Sequence, residues 1–318
     1  MSRVSTADLY PKLRPRAFAI AYQMLGSVSE AEDVVQEAFL RLHQTEQRNE
    51  QIASPPAYLT TVVTRLSIDQ LRSARVRREQ YVGEWLPEPL LTTPDVAEDV
   101  EAADSLSLAL MVLLESLTPQ QRAAFLLRDV FQYPYEEVAD ILGTSVDGTR
   151  HLVARARNHL RERRPRYYAS RQQREDLVRR FFAAAQEGDL TGLEELLVQD
   201  AAVHVDGGGK APAITQPVNG RDQVARVMSA GMTAMARRGV RLQLVEVNGQ
   251  PGAAAIDVND QLVGVMAFDI VDGQIQTIHS IANPDKLRHL DSYGRRGGLL
   301  HGRRPGDDNQ GGSPVPLT

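Results

Sequence analysis

The chain has 318 residues, a formal net charge of −5 and no cysteine. Its length exceeds one ordinary domain, so two or three units with separate cores are expected, and the absence of thiols excludes a disulfide framework and thiolate metal sites. Mild overall acidity argues against nucleic-acid binding by bulk charge, which leaves the distribution of charge to decide.

Residues 7–79 carry apolar side chains at helical spacing, with Val34, Val35, Ala38, Phe39 and Leu42 followed by Leu59, Val62, Val63 and Leu66. The SPP at 54–56 separates these helices. From 82 to 105 the chain holds Pro87, Pro89 and Pro94, then Asp95, Glu98, Asp99, Glu101 and Asp104. It reads as an extended acidic linker, and its WLPEP at 85–89 contains the chain's one tryptophan. Helical periodicity resumes from Leu106 to about Arg164. Within it YEEVADILGTSVDGTRHLVARARNHL has a short helix, a turn at Gly143, a Thr144 or Ser145 cap and a second helix, a helix-turn-helix pattern. Gly148 falls in the first turn of the second helix, at a cost of about 1 kcal/mol against alanine.

After Pro165 the texture changes. Helices are expected over 177–186, 193–198 and about 221–236, and strands over 202–205, 241–247, 253–258, 263–271 and 275–281. This is an α+β domain whose helices cover one face of a curved antiparallel sheet. Residues 294–318 include ten glycines or prolines and read as a disordered tail.

Charge is arranged in stripes. Glu30, Asp33 and Glu37 form an acidic face suited to a basic protein surface. Arg65 and Arg72 share a helix face extended by Arg75, Arg77 and Arg78, and Asp69 offers Arg65 and Arg72 a local ion pair worth a few tenths of a kcal/mol. On the second helix of the helix-turn-helix, Arg150, Arg157, Arg161 and Arg164 form one stripe, opposite Leu152, Ala156 and Leu160. Arg150 and His151 lie where such a helix meets base edges, with Arg155 one turn on.

RPRAFAIAYQMLGSVSEAEDVVQEAFLRL, AYLTTVVTRLSIDQLRSAR and LTPQQRAAFLLRDVFQYPYEEVADILGTSVDGTRHLVARARNHL together resemble regions 2 and 4 of extracytoplasmic-function RNA polymerase sigma factors. WLPEP, DGGGK at 206–210 and NPDKL at 283–287 are similar to the hallmarks of the subgroup with a SnoaL-like carboxyl-terminal extension. The resemblance implies two all-α sigma domains, over 1–80 and 106–166, joined by the linker 81–105 and followed by a SnoaL-like α+β cone over 172–290 and the tail 291–318. It implies RNA polymerase core binding through Asp33, Gln36 and Glu37. It also implies promoter contacts by Arg65 and Arg72 at the minus-ten element and by Arg150, His151 and Arg155 at the minus-thirty-five element. Tyr58 stands where many relatives have tryptophan.

For the extension, a cis-regulatory surface is expected from Trp85, Leu86 and Pro87 with Asp206, Gly207, Lys210, Asn283, Pro284 and Asp285, anchored by the tryptophan. His204, Asp206, Lys210 and His279 are the polar groups from which an acid and base would come if the domain were an enzyme. The reading made is that it is not, and that no catalytic residue, metal or cofactor is involved. An unidentified small ligand in the cone's pocket is the expected additional partner. The opening segment MSRVSTADLYPKLRPR lacks a signal peptide's apolar core, and no run approaches the roughly 20 apolar residues of a membrane span, so a cytoplasmic location without membrane contact is expected. The alternatives are a ligand-sensing helix-turn-helix regulator acting without polymerase, and a DNA-binding protein with an enzymatic third domain.

Overall fold

A computed structural model describes residues 6–92, 107–161 and 170–293, apart from residues 49, 51 and 292. The whole acidic run after Thr92, Arg164, the side chains of Arg75, Arg77, Arg78 and Arg161, and the tail from residue 294 lie outside the described residues.

Helices α1 (Thr6–Leu25), α2 (Val28–Gln47) and α3 (Pro55–Glu79) form the first unit. Ser27 starts α2 from an extended conformation, its hydroxyl accepting the Glu30 N–H. Pro55 and Pro56 open α3, where their missing N–H groups cost nothing. The second unit comprises α4 (Leu108–Leu114), α5 (Pro119–Phe125), a π-helical turn (Leu126–Val130), α6 (Tyr135–Leu142) and α7 (Val146–Arg161). Thr118 and Gln121 close a capping box at the start of α5. Helix α6 ends at Gly143, and the Ser145 hydroxyl accepts the Gly148 N–H at 3.0 Å to begin α7. Gly148, unfavourable by propensity, is explained by space: a Cβ there would lie 2.7 Å from Thr144 Oγ1.

The two helical units share one core. Leu110, Met111 and Leu114 of α4 and Phe125 of α5 pack with Ile20, Leu25, Val35, Leu42 and Val63. Inside this junction lies Arg122, 2 % exposed, donating to the Gln23 carbonyl at 2.9 Å and to Glu115 at 2.6 Å. Its Nη2 has no hydrogen-bond partner, and burial pulls the guanidinium down to about 9.

The third unit begins with α8 (Arg171–Glu187) and α9 (Leu190–Leu196). The chain then enters β2 (Leu197–Asp206), so the expected helix at 193–198 stops early and the strand starts earlier than residue 202. After β3 (Val218–Asn219) and α10 (Arg221–Arg237) comes the meander β4 (Arg241–Val247), β5 (Gln250–Ile256), β6 (Leu262–Val271) and β7 (Gln274–Ile281), closed by the short helix α11 (Pro284–Leu287). The sheet runs β1-β4-β5-β6-β7-β2-β3. Two features depart from expectation. Strands β2 and β7 pair in parallel, because the long excursion through α10 and the meander returns the chain beside β2 in the same direction. The edge strand β1 (Leu91–Thr92) comes from the linker and pairs antiparallel with β4.

One sheet face is covered by α8, α9 and α10, with Phe181, Phe182, Met228 and Met232 packed on Met266, Phe268 and Ile278. The other face is covered at one end by Leu86 of the linker, Leu108 of α4 and Leu287 of α11, packed on Val247, Val265, Ala267 and Ile281. Helix α4 therefore bridges two cores.

The buried guanidinium generates a prediction. Replacing both members of a buried ion pair by apolar groups of similar volume is neutral or stabilising, whereas removing one partner is costly. The double substitution Arg122→Met with Glu115→Leu is expected to lower the thermal unfolding midpoint less than Glu115→Ala alone, which lowers stability by about 3 kcal/mol, both read by calorimetry on the full chain.

Candidate functional site: an interdomain latch

Residues 81–92 form a strap across all three units. On the first unit, the Glu88 carboxylate receives the Ser27 hydroxyl at 2.9 Å and the Val28 N–H at 2.7 Å, supplying acceptors at the positive amino end of α2. The Glu88 N–H donates to the Gly26 carbonyl at 2.8 Å, and the Tyr22 hydroxyl donates to the Glu88 carbonyl at 2.6 Å. Gly26, at φ +69°, lies under the tryptophan: a Cβ there would be 2.8 Å from Trp85 Cη2.

On the third unit the strap meets Asp206, the last residue of β2 and fully buried. One carboxylate oxygen accepts the Tyr81 hydroxyl at 2.5 Å; the other accepts the Leu86 N–H at 2.8 Å and the Lys286 ammonium at 2.6 Å. Lys286 also donates to the Leu86 carbonyl, and its ammonium lies 4.1 Å from the Trp85 ring centroid. Asn283 donates to the Tyr81 hydroxyl at 2.6 Å while its own side-chain oxygen accepts the Asp285 N–H at the start of α11. Burial, then the neighbouring Asp206 carboxylate, raise the Tyr81 phenol and keep it a donor. Gly208, at φ +57°, leaves room for this knot: a Cβ there would sit 2.2 Å from Asn283 Nδ2. Further along, Glu84 contacts His204 Nδ1 at 2.6 Å, and His289 Nε2 lies 2.8 Å from the Pro89 carbonyl.

The third anchor is Asn248, fully buried in the two-residue turn between β4 and β5 at φ +52°. Its backbone N–H and side-chain oxygen clasp Leu90, and its amide donates to the Tyr22 hydroxyl at 2.8 Å and faces the Met111 sulfur at 3.7 Å. One side chain thus touches the linker and both helical units.

Of the residues expected at a regulatory surface, Trp85, Leu86, Asp206 and Asn283 meet in this knot. Gly207 and Pro284 shape it, as the turn after β2 and the first residue of α11, and Pro87 packs near Gly26. Lys210 and Asp285, also expected there, pair with each other on the surface beside the knot. Sequence reasoning missed Tyr81, Glu84, Glu88, Asn248 and Lys286. Asn248-Gly249 is a two-residue hairpin signal that could have marked the turn but not its contacts, and a lysine is among the residues least expected to be buried.

The expected polymerase-facing residues Asp33, Gln36 and Glu37 lie on one side of α2, with Asp33 and Gln36 exposed and Glu37 paired to Arg41 at 2.7 Å. Leu40, 50 % exposed, continues that face and had no signal in the charge pattern. Arg65 is diverted, donating to the carbonyls of Ile141 at 2.9 Å and Asp140 at 3.2 Å at the carboxyl end of α6. Arg72 is exposed beside Asp69. Arg150 pairs with Asp147, and His151 and Arg155 are exposed on α7. Arg157, expected on the DNA-facing stripe, is instead bound through two nitrogens to Asp129, at 2.5 and 2.8 Å. The buried side of α7 runs through Val153, Ala156 and Leu160, with Leu152 only half-buried.

The acid and base candidates do not converge. Both Asp206 oxygens are engaged by the strap and Lys286. His279 is buried against His204, ring centroids 5.4 Å apart, and burial followed by that neighbour pulls it down to about 3, so it stays neutral. Among the described residues no cluster of histidine and carboxylates could hold a metal ion, and no helix is long and apolar enough to cross a membrane.

Residues 9–77 match the sigma-70 region 2 family, 107–160 the sigma-70 region 4 family and 178–278 the SnoaL-like domain family. The chain is 39 % identical over 293 residues to the ECF RNA polymerase sigma factor SigJ of Mycobacterium tuberculosis, covering 87 % of this chain and 92 % of that one. The chain belongs to the extracytoplasmic-function RNA polymerase sigma factors. The crystal structure of SigJ superposes with a TM-score of 0.70 at 36 % identity, over 89 % of this chain and 98 % of that one. A probable ECF sigma factor, SigI of the same species, is 32 % identical over 85 % of this chain and 91 % of its own. This sigma factor is therefore an alternative sigma factor with a SnoaL-like extension.

Two measurements test the latch. Asp206→Ala leaves the Lys286 ammonium buried without its carboxylate, at an expected cost of about 3–5 kcal/mol. Denaturant unfolding and the Trp85 emission maximum should both shift; if neither moves, the pair does not hold the strap. His279 has a folded pKa below its unfolded value, so its contribution is complete above about pH 6.5 and is lost as pH falls towards 3. His279→Phe should flatten the fall in stability between pH 6.5 and 5, where the slope from one histidine is at most about 1.4 kcal/mol per pH unit.

Proposed function

We propose that this sigma factor exists in a closed, promoter-incompetent form held by its own extension, and that it directs polymerase core to two-element promoters once the strap is released. The observation that carries the reading is the use of Arg65. The arginine matched to minus-ten recognition caps α6 of the promoter-reading helix-turn-helix. Two promoter elements about 25 base pairs apart are separated by roughly 85 Å at 3.4 Å per base pair. Units that share a core and touch through Arg65 cannot lie on both, so engagement requires them to part.

The remaining assignments follow from the same frame. Asp33, Gln36, Glu37 and Leu40 present a mixed acidic and apolar face for core polymerase. Arg72, Arg150, His151 and Arg155 contact promoter DNA, joined by Arg65 after opening. The extension acts as a cis-acting restraint and not as an enzyme, because Asp206, its fully buried carboxylate at the linker, is a structural acceptor. The strap couples the two events, since Glu88 holds the amino end of α2, the polymerase-facing helix.

Run-off transcription with purified core polymerase tests the reading. Tyr81→Phe and Asp206→Asn, which loosen the knot, are expected to raise transcript yield several-fold at equal protein concentration. Thr60→Val, which removes the 2.9 Å hydrogen bond from α3 to Tyr133, is expected to act in the same direction. Unchanged or lower yield from all three, with core binding intact, would sink the restraint model, and failure to cofractionate with core would favour a regulator acting without polymerase.

A further inference from the structure

Aromatic and thioether side chains pack the face of the sheet covered by α8, α9 and α10. Phe181, Phe182 and Phe268 meet edge to face with centroids 5.5–5.9 Å apart, and Met228, Met232 and Met266 are buried around them. Open space lies instead at the outer edge of the same sheet face, in a cavity of about 380 Å³ between α8, β4 and the end of the strap. Its apolar walls are Val178 from α8, Leu244 and Pro251 from the β4–β5 hairpin and Tyr293, and the strap contributes Thr92, while the Leu91 side chain packs with Val247 on the opposite sheet face. Leu244 is 43 % exposed, an apolar side chain facing a concavity.

The charged residues on the rim are mutually neutralised. Arg171 pairs with Glu246 at 2.7 Å and with Glu175 at 2.9 Å; Glu246 also accepts the Thr92 hydroxyl at 2.8 Å; Arg179 pairs with Asp176 at 2.7 Å. The charged residues of the lining itself are two arginines, Arg171 and Arg179, and two glutamates, Glu175 and Glu246, so their net charge favours no ionic occupant, and the volume is at the small end of the range of about 300–1,000 Å³ typical of small-molecule sites.

We propose that this cavity binds an uncharged, largely apolar small molecule, and that the molecule keeps the strap docked. The second half follows from the wall itself. Strap residues Leu91 and Thr92 are held to the sheet by pairing with Val247 and Glu246, by the Gly249 N–H donating to the Thr92 hydroxyl oxygen at 3.1 Å and by the packing of Leu91. A molecule seated between Thr92 on one side and Val178 and Leu244 on the other is fully enclosed only while the strap is down. By linkage it shifts the population towards the closed form. This second half rests on the restraint reading above; the binding site does not.

The test titrates the uncharged fluorescent probe N-phenyl-1-naphthylamine into the full chain, with direct excitation of the probe. Saturable one-site binding is expected, weakened at least tenfold both by Leu244→Trp, which fills the cavity, and by Leu244→Lys, which makes it polar. Both substitutions are at a partly exposed position, and thermal unfolding confirms that each variant folds. Non-saturable binding, or binding that neither variant weakens, overturns the site. Saturating probe is further expected to lower run-off transcription by the unsubstituted chain at least twofold and to have no effect on Leu244→Trp. Binding without that difference overturns the coupling to the strap, and the restraint model is then judged separately by Tyr81→Phe and Asp206→Asn.

Discussion

Removing a carboxylate and an ammonium from water costs more than their attraction returns unless every remaining donor and acceptor finds a partner. At Asp206 and Lys286 those partners come from the linker: the Tyr81 hydroxyl, the Leu86 N–H and the Leu86 carbonyl. The ion pair is therefore complete only when the strap is in place. A domain whose buried charges are satisfied by a neighbouring segment is bound to that segment by the penalty of exposing them unpaired, and the position of residues 81–92 follows.

From that point the constraint spreads. Holding Leu86 at Asp206 places Trp85 between Gly26 and Lys286 and brings Glu88 to the amino end of α2. It also carries Leu90 to Asn248, which reaches Tyr22 of α1 and Met111 of α4. The same strap thus fixes the first helical unit against the sheet and, through α4, the second unit against both. The compact arrangement contains its own opposing term: Arg122 is buried with one nitrogen unpaired in the core shared by the helical units. Such a junction is held closed by burial and weakened by a desolvated guanidinium with one unsatisfied nitrogen, properties suited to a state that must be left during function.

Much of this was legible residue by residue. The three- and four-residue spacing of Val34, Val35, Ala38, Phe39 and Leu42 marks α2, and the Gly143 turn between two amphipathic segments marks the helix-turn-helix, because these are local signals of period and cap. The meander strands follow from alternation bounded by turns. Asp206 and Asn283 were singled out because DGGGK and NPDKL are similar to hallmarks of the subgroup with a SnoaL-like extension, whereas by themselves those residues read as turn formers. Lys286, Glu88 and Asn248 were not, since their partners are between 60 and 226 positions away in the chain. The parallel pairing of β2 with β7 and the recruitment of Leu91–Thr92 as an edge strand were hidden for the same reason.

The tryptophan shows where the division falls. From the sequence alone WLPEP is a proline-stiffened segment unable to form a helix, with one large planar side chain available as an anchor, and that much is dictated by backbone sterics. The sequence likewise determined the order of the units, the helical character of the first two and the stripes of charge on α2, α3 and α7, because period, caps and charge spacing act over a few residues. Only the tertiary structure decided that the indole lies between a glycine and a buried lysine, that Arg65 is occupied by α6, and that Arg157 is held by Asp129. Those outcomes depend on which distant groups can share desolvation, and that is settled when the chain closes on itself.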